Sequence, residues 1–256
     1  MRNPGFSSLS PCHPLRQTKA MKSTLILLPG LVCDAAVWAP QVQALTGRVH
    51  CHVVDYGLRD SLTEMAQYVL DSAPTPRFAL AGHSMGGRVA LEVMRLAPGR
   101  VQHLALLDTG THPLAEGVAG VRERAGRMGL LQTAERKGMR AMAEQWAQPM
   151  VHPSRHATPL FESVLAMLER SSPEHYAAQI NALLNRPDAA PVLAGIRCPT
   201  LVLTGREDLW SPPEQHERMA VQINGAQLCI VEQCGHMSTL EQPDAVNTAF
   251  QHWLDA

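Results

Sequence analysis

The stretch Ala79-Leu80-Ala81-Gly82-His83-Ser84-Met85-Gly86-Gly87-Arg88-Val89-Ala90-Leu91 decides how the rest of the chain reads. Phe78 to Ala81 is a short apolar run, and from Met85 to Leu96 apolar residues recur at helical spacing, which predicts a strand, a sharp turn and a helix. At the turn, Gly82-His83-Ser84-Met85-Gly86 forms a G-x-S-x-G pattern, the arrangement of a nucleophile elbow. Glycines two before and two after Ser84 remove the side chains that would collide in so tight a turn. The helix that follows points its first N–H groups and its dipole at the serine and favours negative charge there. The pattern alone is a weak signal, because Gly and Ser are common in turns; the strand before and the helix after give it weight.

Working outward, Ser23 to Leu28 is apolar without interruption and ends at Pro29-Gly30, as a strand buried on both faces does. Ala35 to Leu45 reads as a short helix and His50 to Val54 as a second strand. Ser61 with Glu64 makes an S-x-x-E capping box at the start of a helix that runs to about Ser72, before Pro74 and Pro76. Val101 to Leu107 is a fourth strand, Cys198 to Leu203 a fifth, and Gln227 to Val231 the last. Helices are predicted from Pro212-Pro213 to about Ile223 and from Pro243 to Leu254. Strands alternating with helices imply an α/β fold with a doubly wound, mostly parallel sheet.

That alternation stops between Thr111 and Pro191. The segment offers only helical patterns, at Glu116 to Leu131, Ala134 to Gln148, Pro159 to Arg170 and Pro173 to Leu184. A parallel crossover needs only about a dozen residues, so residues 111–191 are expected to form an inserted helical lid. The core is then residues 21–110 and 192–256. Met1 to Ala20 carries Pro4, Pro11 and Pro14 and no continuous apolar stretch, and reads as a disordered extension before a start at Met21.

Composition excludes several function classes. The formal net charge is −1, with no basic face, so no nucleic-acid partner is expected. No apolar run approaches the ~20 residues that span a bilayer, so no membrane association is expected. Six cysteines lie without C-x-x-C spacing, which argues against zinc and disulfide frameworks and makes a reducing cytoplasm the simplest setting. Twelve histidines include no H-x-x-x-H pair on a predicted helix. Neither a metal nor a cofactor is expected; the expected partner is a small-molecule substrate.

Ser84, Asp208 and His236 each follow a predicted strand, and ligands of open parallel sheets bind at the carboxyl ends of the strands. Serine needs a base within hydrogen-bond reach, and the base needs an orienting acid. His236 suits the base and Asp208 the acid, in the chain order serine, acid, histidine. Asp108 and Glu207 are rival acids, and Asp208 is equally readable as a helix cap. A tetrahedral intermediate needs preorganised N–H donors. The Met85 N–H and the Leu31 N–H are the expected pair, with Gly30 allowing close approach and Pro29 unable to donate.

These residues carry a resemblance. Leu28-Pro29-Gly30-Leu31, Gly82 to Gly87, Gly205-Arg206-Glu207-Asp208 and Gly235-His236-Met237 are similar to the motifs of the α/β-hydrolase superfamily, in its lid-bearing, serine-esterase-like branch. The resemblance covers about Met21 to Ala256. It implies cleavage of a carboxylic ester, lactone or thioester through an acyl-enzyme. Many relatives have His where this chain has Pro29, and the usual N-terminal strand hairpin is missing, so about six strands are expected rather than eight.

Substrate is less legible. Arg88 resembles the arginine of relatives that process a carboxylate-rich menaquinone precursor, and its alternative is helix packing or a surface ion pair. A C–C bond hydrolase or lyase acting on a carboxylate-bearing substrate therefore stands as a second reading. Met237 speaks against it, because some C–C hydrolases carry an aromatic residue directly after the histidine. A ligand receptor without catalysis is a third. Trp146, Met139, Met142, Met150, Phe161 and Leu165 are candidates for an apolar acyl site or for simple packing. Cys33 lies near the proposed oxyanion loop and is expected to touch ligand without acting as a nucleophile. Arg122, Arg124 and Arg127 offer either carboxylate binding or a solvated helix face.

Overall fold

The computed structural model describes residues 23–256. The expected extension over residues 1–20, and the start at Met21, lie outside the described residues. Six strands form one sheet: β1 (Thr24–Leu28), β2 (His50–Val53), β3 (Phe78–His83), β4 (Val101–Leu107), β5 (Thr200–Gly205) and β6 (Gln227–Val231). Their order is β2-β1-β3-β4-β5-β6, and every neighbouring pair is parallel. Leu25, Ile26, Leu27 and Leu28 are all fully buried, as a strand covered on both faces requires. Each contributes about 1.5–3 kcal/mol by leaving water.

Helices cover both faces. Helix α1 (Ala39–Ala44) shares one face with the C-terminal helix α11 (Pro243–Leu254), where Trp38, Phe250 and Trp253 form an aromatic row. On the other face lie α2 (Leu62–Ser72), α3 (Met85–Leu96) and α9 (Pro213–Gln222). Ser61 caps α2 as its sequence predicts, its side chain accepting the Glu64 N–H.

Between β4 and β5 the chain is helical: α4 (Gly117–Lys137), α5 (Met139–Trp146), α6 (Pro159–Glu169), α7 (Pro173–Leu184) and the short α8 (Ala190–Leu193). The first of these is longer than its sequence pattern indicates. It continues past Leu131 to Lys137, and the break falls at Gly138, whose φ of +88° is open to glycine and strained for other residues. Strand β5 begins and ends two residues later than expected, because Pro199 cannot donate to the ladder. Among the described residues no helix is long and apolar enough to cross a membrane.

The chain order reverses at β1: the connection to β2 leaves on one side and β3 returns on the other. Ligands of such sheets sit at this switch point. The loops after β1 and β3, which carry Gly30-Leu31 and Ser84, flank it, with Leu28 registered against Gly82.

Candidate active site

Ser84 sits between β3 and α3 with φ +55° and ψ −116°, a backbone conformation that a non-glycine residue holds only when its surroundings enforce it. Those surroundings are tight. A Cβ on Gly86 would lie 2.1 Å from the Leu28 carbonyl oxygen, and one on Gly82 would lie 2.3 Å from the Gly86 oxygen. Ser84 N–H donates to Leu107 O at 2.9 Å, and its carbonyl accepts the Thr109 hydroxyl at 2.7 Å. Thr109 is itself fixed, its N–H donating to His216 Nε2 at 3.0 Å. Burial depresses the His216 pKa to about 4, so the ring stays neutral and keeps the lone pair this bond requires.

The loop after β6 brings in His236. Its Nε2 is 2.8 Å from Ser84 Oγ, and its Nδ1 is 2.8 Å from Asp208 Oδ2. The other Asp208 oxygen accepts the N–H groups of Trp210 and Ser211, both at 2.9 Å. With Nδ1–H given to Asp208, Nε2 is left as the acceptor for the serine hydroxyl. Burial pushes the His236 pKa down, but the charge and hydrogen bond of Asp208, helped by Asp108 and Glu241, hold it above 6.5. Burial alone pushes the Asp208 carboxyl up; the His236 charge and hydrogen bond and the two loop N–H groups hold it below its ordinary value.

The rival acids are engaged elsewhere. Asp108 is fully buried and accepts the Ser238 hydroxyl and the Gly205 N–H. Burial, then the Asp208 charge, raise its pKa well above the ordinary carboxylate value. Glu207 accepts the Cys234 N–H at 2.9 Å. Geometry therefore gives His236 to Asp208. The bonds Asp208 accepts close the loop after β5, and the N-cap of α9 is Pro212, four residues further on, so Asp208 is not that helix's cap.

His83 adds support from below. Its Nε2 lies 2.8 Å from the His236 carbonyl, and burial holds its pKa at about 3, so it is a neutral donor there. A Cβ on Gly30 would stand 2.9 Å from His83 Nδ1, which explains the glycine in the loop after β1. The Leu31 and Met85 N–H groups have no hydrogen-bond acceptor among the described residues.

A cavity of about 720 Å³ opens over this row. Gly30, Leu31 and Cys33 line it from the loop after β1; Ser84, Met85 and Arg88 line it from the elbow; His236 and Met237 complete the base. Trp146 closes it from the helical segment, stacked on Trp210 at 5.2 Å between ring centroids, and Trp210 in turn lies 5.0 Å from the His236 ring. Asp208 is buried behind His236, away from the cavity wall. Burial raises the Cys33 thiol to about 12, so it is no thiolate.

Of the six residues of the helical segment named from sequence, Trp146 and Met150 line the cavity. Met139, Met142 and Leu165 are buried among the helices, and Phe161 packs beside His156. Arg122 and Arg127 also reach the wall, whereas Arg124 is exposed and does not.

One end of the cavity is basic. Arg88 Nη1 donates to His112 O at 2.9 Å and has no carboxylate partner among the described residues. Nearby, Arg186 and Arg127 both bond Glu123, at 2.8 and 3.0 Å. Three guanidinium groups thus face one carboxylate. Burial, followed by the charges of Arg186 and Arg127, pulls the Arg88 pKa down. Sequence reading missed Arg186 and Trp210. Trp210 was reachable, since it stands two residues after Asp208 at the sheet edge; Arg186, in a loop after α7, had no signal.

A six-stranded parallel sheet with a serine elbow at its switch point defines an α/β hydrolase. The chain belongs to the alpha/beta hydrolase family, whose sequence pattern matches residues 25–249. It is similar to (E)-2-((N-methylformamido)methylene)succinate hydrolase of Acinetobacter baylyi, at 28% identity over 90% of this chain and 90% of that one. It is also similar to the 2-hydroxy-6-oxononadienedioate/2-hydroxy-6-oxononatrienedioate hydrolase of Escherichia coli, at 27% identity over 79% of this chain and 71% of the relative. A solved thermophilic esterase from Thermogutta terrifontis, with malate bound, superposes with a TM-score of 0.81 at 27% identity, covering 92% of this chain and 90% of that one.

Proposed function

We propose that this hydrolase cleaves a carboxylic ester of a small molecule through an acyl-enzyme on Ser84. The observation that carries the reading is the unbroken row Ser84 Oγ, His236, Asp208, with 2.8 Å at each contact. His236 takes the Ser84 proton as the hydroxyl attacks the acyl carbon, then returns it to the leaving alcohol. Water attacks the acyl-enzyme in the second half, again with His236 as base. The Leu31 and Met85 N–H groups form the oxyanion hole, each worth roughly 10²–10³ in rate. Asp208 holds the tautomer and stabilises the imidazolium. Residues 111–191 serve as the lid that shapes the acyl site. The five unpaired thiols among the described residues fit a reducing cytoplasm.

The basic end of the cavity favours a substrate with a carboxylate some distance from the bond that breaks. Arg88 is one helical turn from Ser84, is charged at neutral pH, and lacks an acid to neutralise it. The named compounds of the two relatives are a succinate and dioates, and the esterase structure holds malate, which agrees with such a substrate. The same observation favours the second reading, C–C bond hydrolysis or a lyase step on a carboxylate-bearing compound, while Met237 in place of an aromatic residue counts against it.

The test is a panel of p-nitrophenyl esters, neutral and acid-terminated, with Ser84→Ala as control. Turnover lost in Ser84→Ala, with a preference for acid-terminated acyl groups, is the expected result. A wild-type enzyme labelled at Ser84 but inert towards every ester would move the reading to C–C bond cleavage or a lyase.

A further inference from the structure

Glu241 is a carboxylate that the reaction just described does not use, yet it is only 3% exposed and fully engaged. It ends the short helix α10 (Ser238–Glu241). One oxygen, Oε1, accepts the Gly235 N–H at 3.0 Å and the Met237 N–H at 3.1 Å, the two residues that flank His236. The other, Oε2, accepts the His152 N–H at 2.7 Å, from within the helical insertion. His236's own N–H donates to Met150 O at 2.7 Å. Three successive N–H groups, 235 to 237, are therefore pinned, two by Glu241 and one by the insertion.

We infer that Glu241 is a positioning residue, a clamp that locks the loop carrying His236 to residues 150–152 and holds the imidazole in line with Ser84.

The contact between loop and insertion depends on glycine at 235. A Cβ there would fall 2.7 Å from Met150 O and 3.0 Å from His152 N. Arg155, also in the insertion, reaches the Glu241 carbonyl at 3.3 Å and closes the joint from outside. Residues 150–155 are thus tied to the loop that carries His236 at three points, through Met150 O, His152 N–H and Arg155.

A carboxylate suits this clamp where an amide does not. Ionised, it accepts on both oxygens and has room for all three donors. Glutamine offers one oxygen, and its NH₂ would face a backbone N–H, leaving a buried donor unpaired. Charge matters as well. His236 is faced by Asp208, bonded to it, and by Asp108 and Glu241, with His83 and His216 neutral beside it. Glu241 itself is pushed up by burial and pulled back by its three N–H donors and by Arg155, the net shift being upward. While ionised it favours the imidazolium, the form His236 takes as Ser84 attacks.

This inference rests on the reading of His236 as the base for Ser84. Its test is the second-order rate at which a fluorophosphonate labels Ser84, followed against pH in wild type, Glu241→Gln and Gly235→Ala, with circular dichroism and Tm for each. Glu241→Gln is expected to lower the plateau rate roughly 10- to 100-fold, the cost of an ångström-scale misplacement, and to move the midpoint to lower pH. Gly235→Ala keeps the charge and pries the insertion off the loop, so it lowers the plateau and leaves the midpoint in place. A Glu241→Gln rate within threefold of wild type with an unmoved midpoint overturns the clamp, even if Tm falls. A Gly235→Ala plateau equal to wild type overturns it too, and does so even if Glu241→Gln fails to fold. Wild type unlabelled at Ser84 removes the underlying reading and the clamp together, whereas a failure of the variants alone removes only the clamp.

Discussion

His236 is joined to the Ser84 turn twice: its Nε2 meets Ser84 Oγ at 2.8 Å, and its carbonyl meets the ring of His83, the residue before Ser84, also at 2.8 Å. In the proposed reaction the side-chain contact is the one that moves a proton. The main-chain contact ties the loop that carries His236 to the residue before Ser84. Because burial keeps His83 neutral, the second bond does not change as the pH passes through the range where His236 titrates.

Removing any member of the row is expected to abolish activity at unchanged fold. Ser84→Ala and His236→Ala should each lose about 10⁶-fold in kcat, and Asp208→Asn roughly 10⁴-fold, with KM little altered. Steady-state kinetics on the best p-nitrophenyl ester measure this. An Asp108→Asn loss larger than that of Asp208→Asn would show the wrong carboxylate has been assigned.

The pH dependence follows from the sign of the shift. His236 accepts a proton only when neutral, and Asp208 raises its pKa above 6.5. kcat/KM should therefore climb with pH to a plateau, with its midpoint above 6.5. In Asp208→Asn the raising charge is gone and burial remains, so the midpoint should fall. A profile flat from pH 5 to 8 would speak against His236 as the base.

Arg88 is expected to act on acid-bearing substrates alone. Arg88→Ala should lower kcat/KM for an acid-terminated ester roughly 10- to 100-fold, the worth of a charge-assisted hydrogen bond. The neutral ester of equal length should change little. Equal losses on both would make Arg88 a packing residue. Lysine at this position should restore only part of the difference, since it lacks the planar fork.

The elbow should tolerate no side chain at Gly86. With Leu28 O only 2.1 Å from the new Cβ, Gly86→Ala must displace α3 from the end of β1. A cost of about 1–3 kcal/mol is expected, read as a loss of several degrees in Tm. Gly99→Ala, where the new Cβ meets nothing within 4 Å, is the matched control.

Local pattern carries the sheet and places Ser84, Asp208 and His236 after its strands. Five of the strands are largely apolar runs, β2 with its two histidines being the exception, and Ser84, Asp208 and His236 stand out because each follows such a run. The structure adds what depends on long-range packing. Whether Asp108 or Asp208 meets His236 is decided by which loop folds over, and no spacing records it. Gly138 broke a helix that apolar periodicity alone would place elsewhere. Trp210 and Glu241 meet the insertion across the sheet edge, at Trp146 and His152, and Arg186 is held within the insertion by Glu123 and His112 O. Trp210 meets Trp146 across a gap of 64 residues, and a sequence shows no sign of such a stack.

The most direct test of the central claim is mass spectrometry of the protein after treatment with a fluorophosphonate. A single adduct on the peptide containing Ser84, absent from Ser84→Ala and strongly slowed in His236→Ala, is the predicted result. An unlabelled wild-type protein, or an adduct that persists in Ser84→Ala, would contradict it.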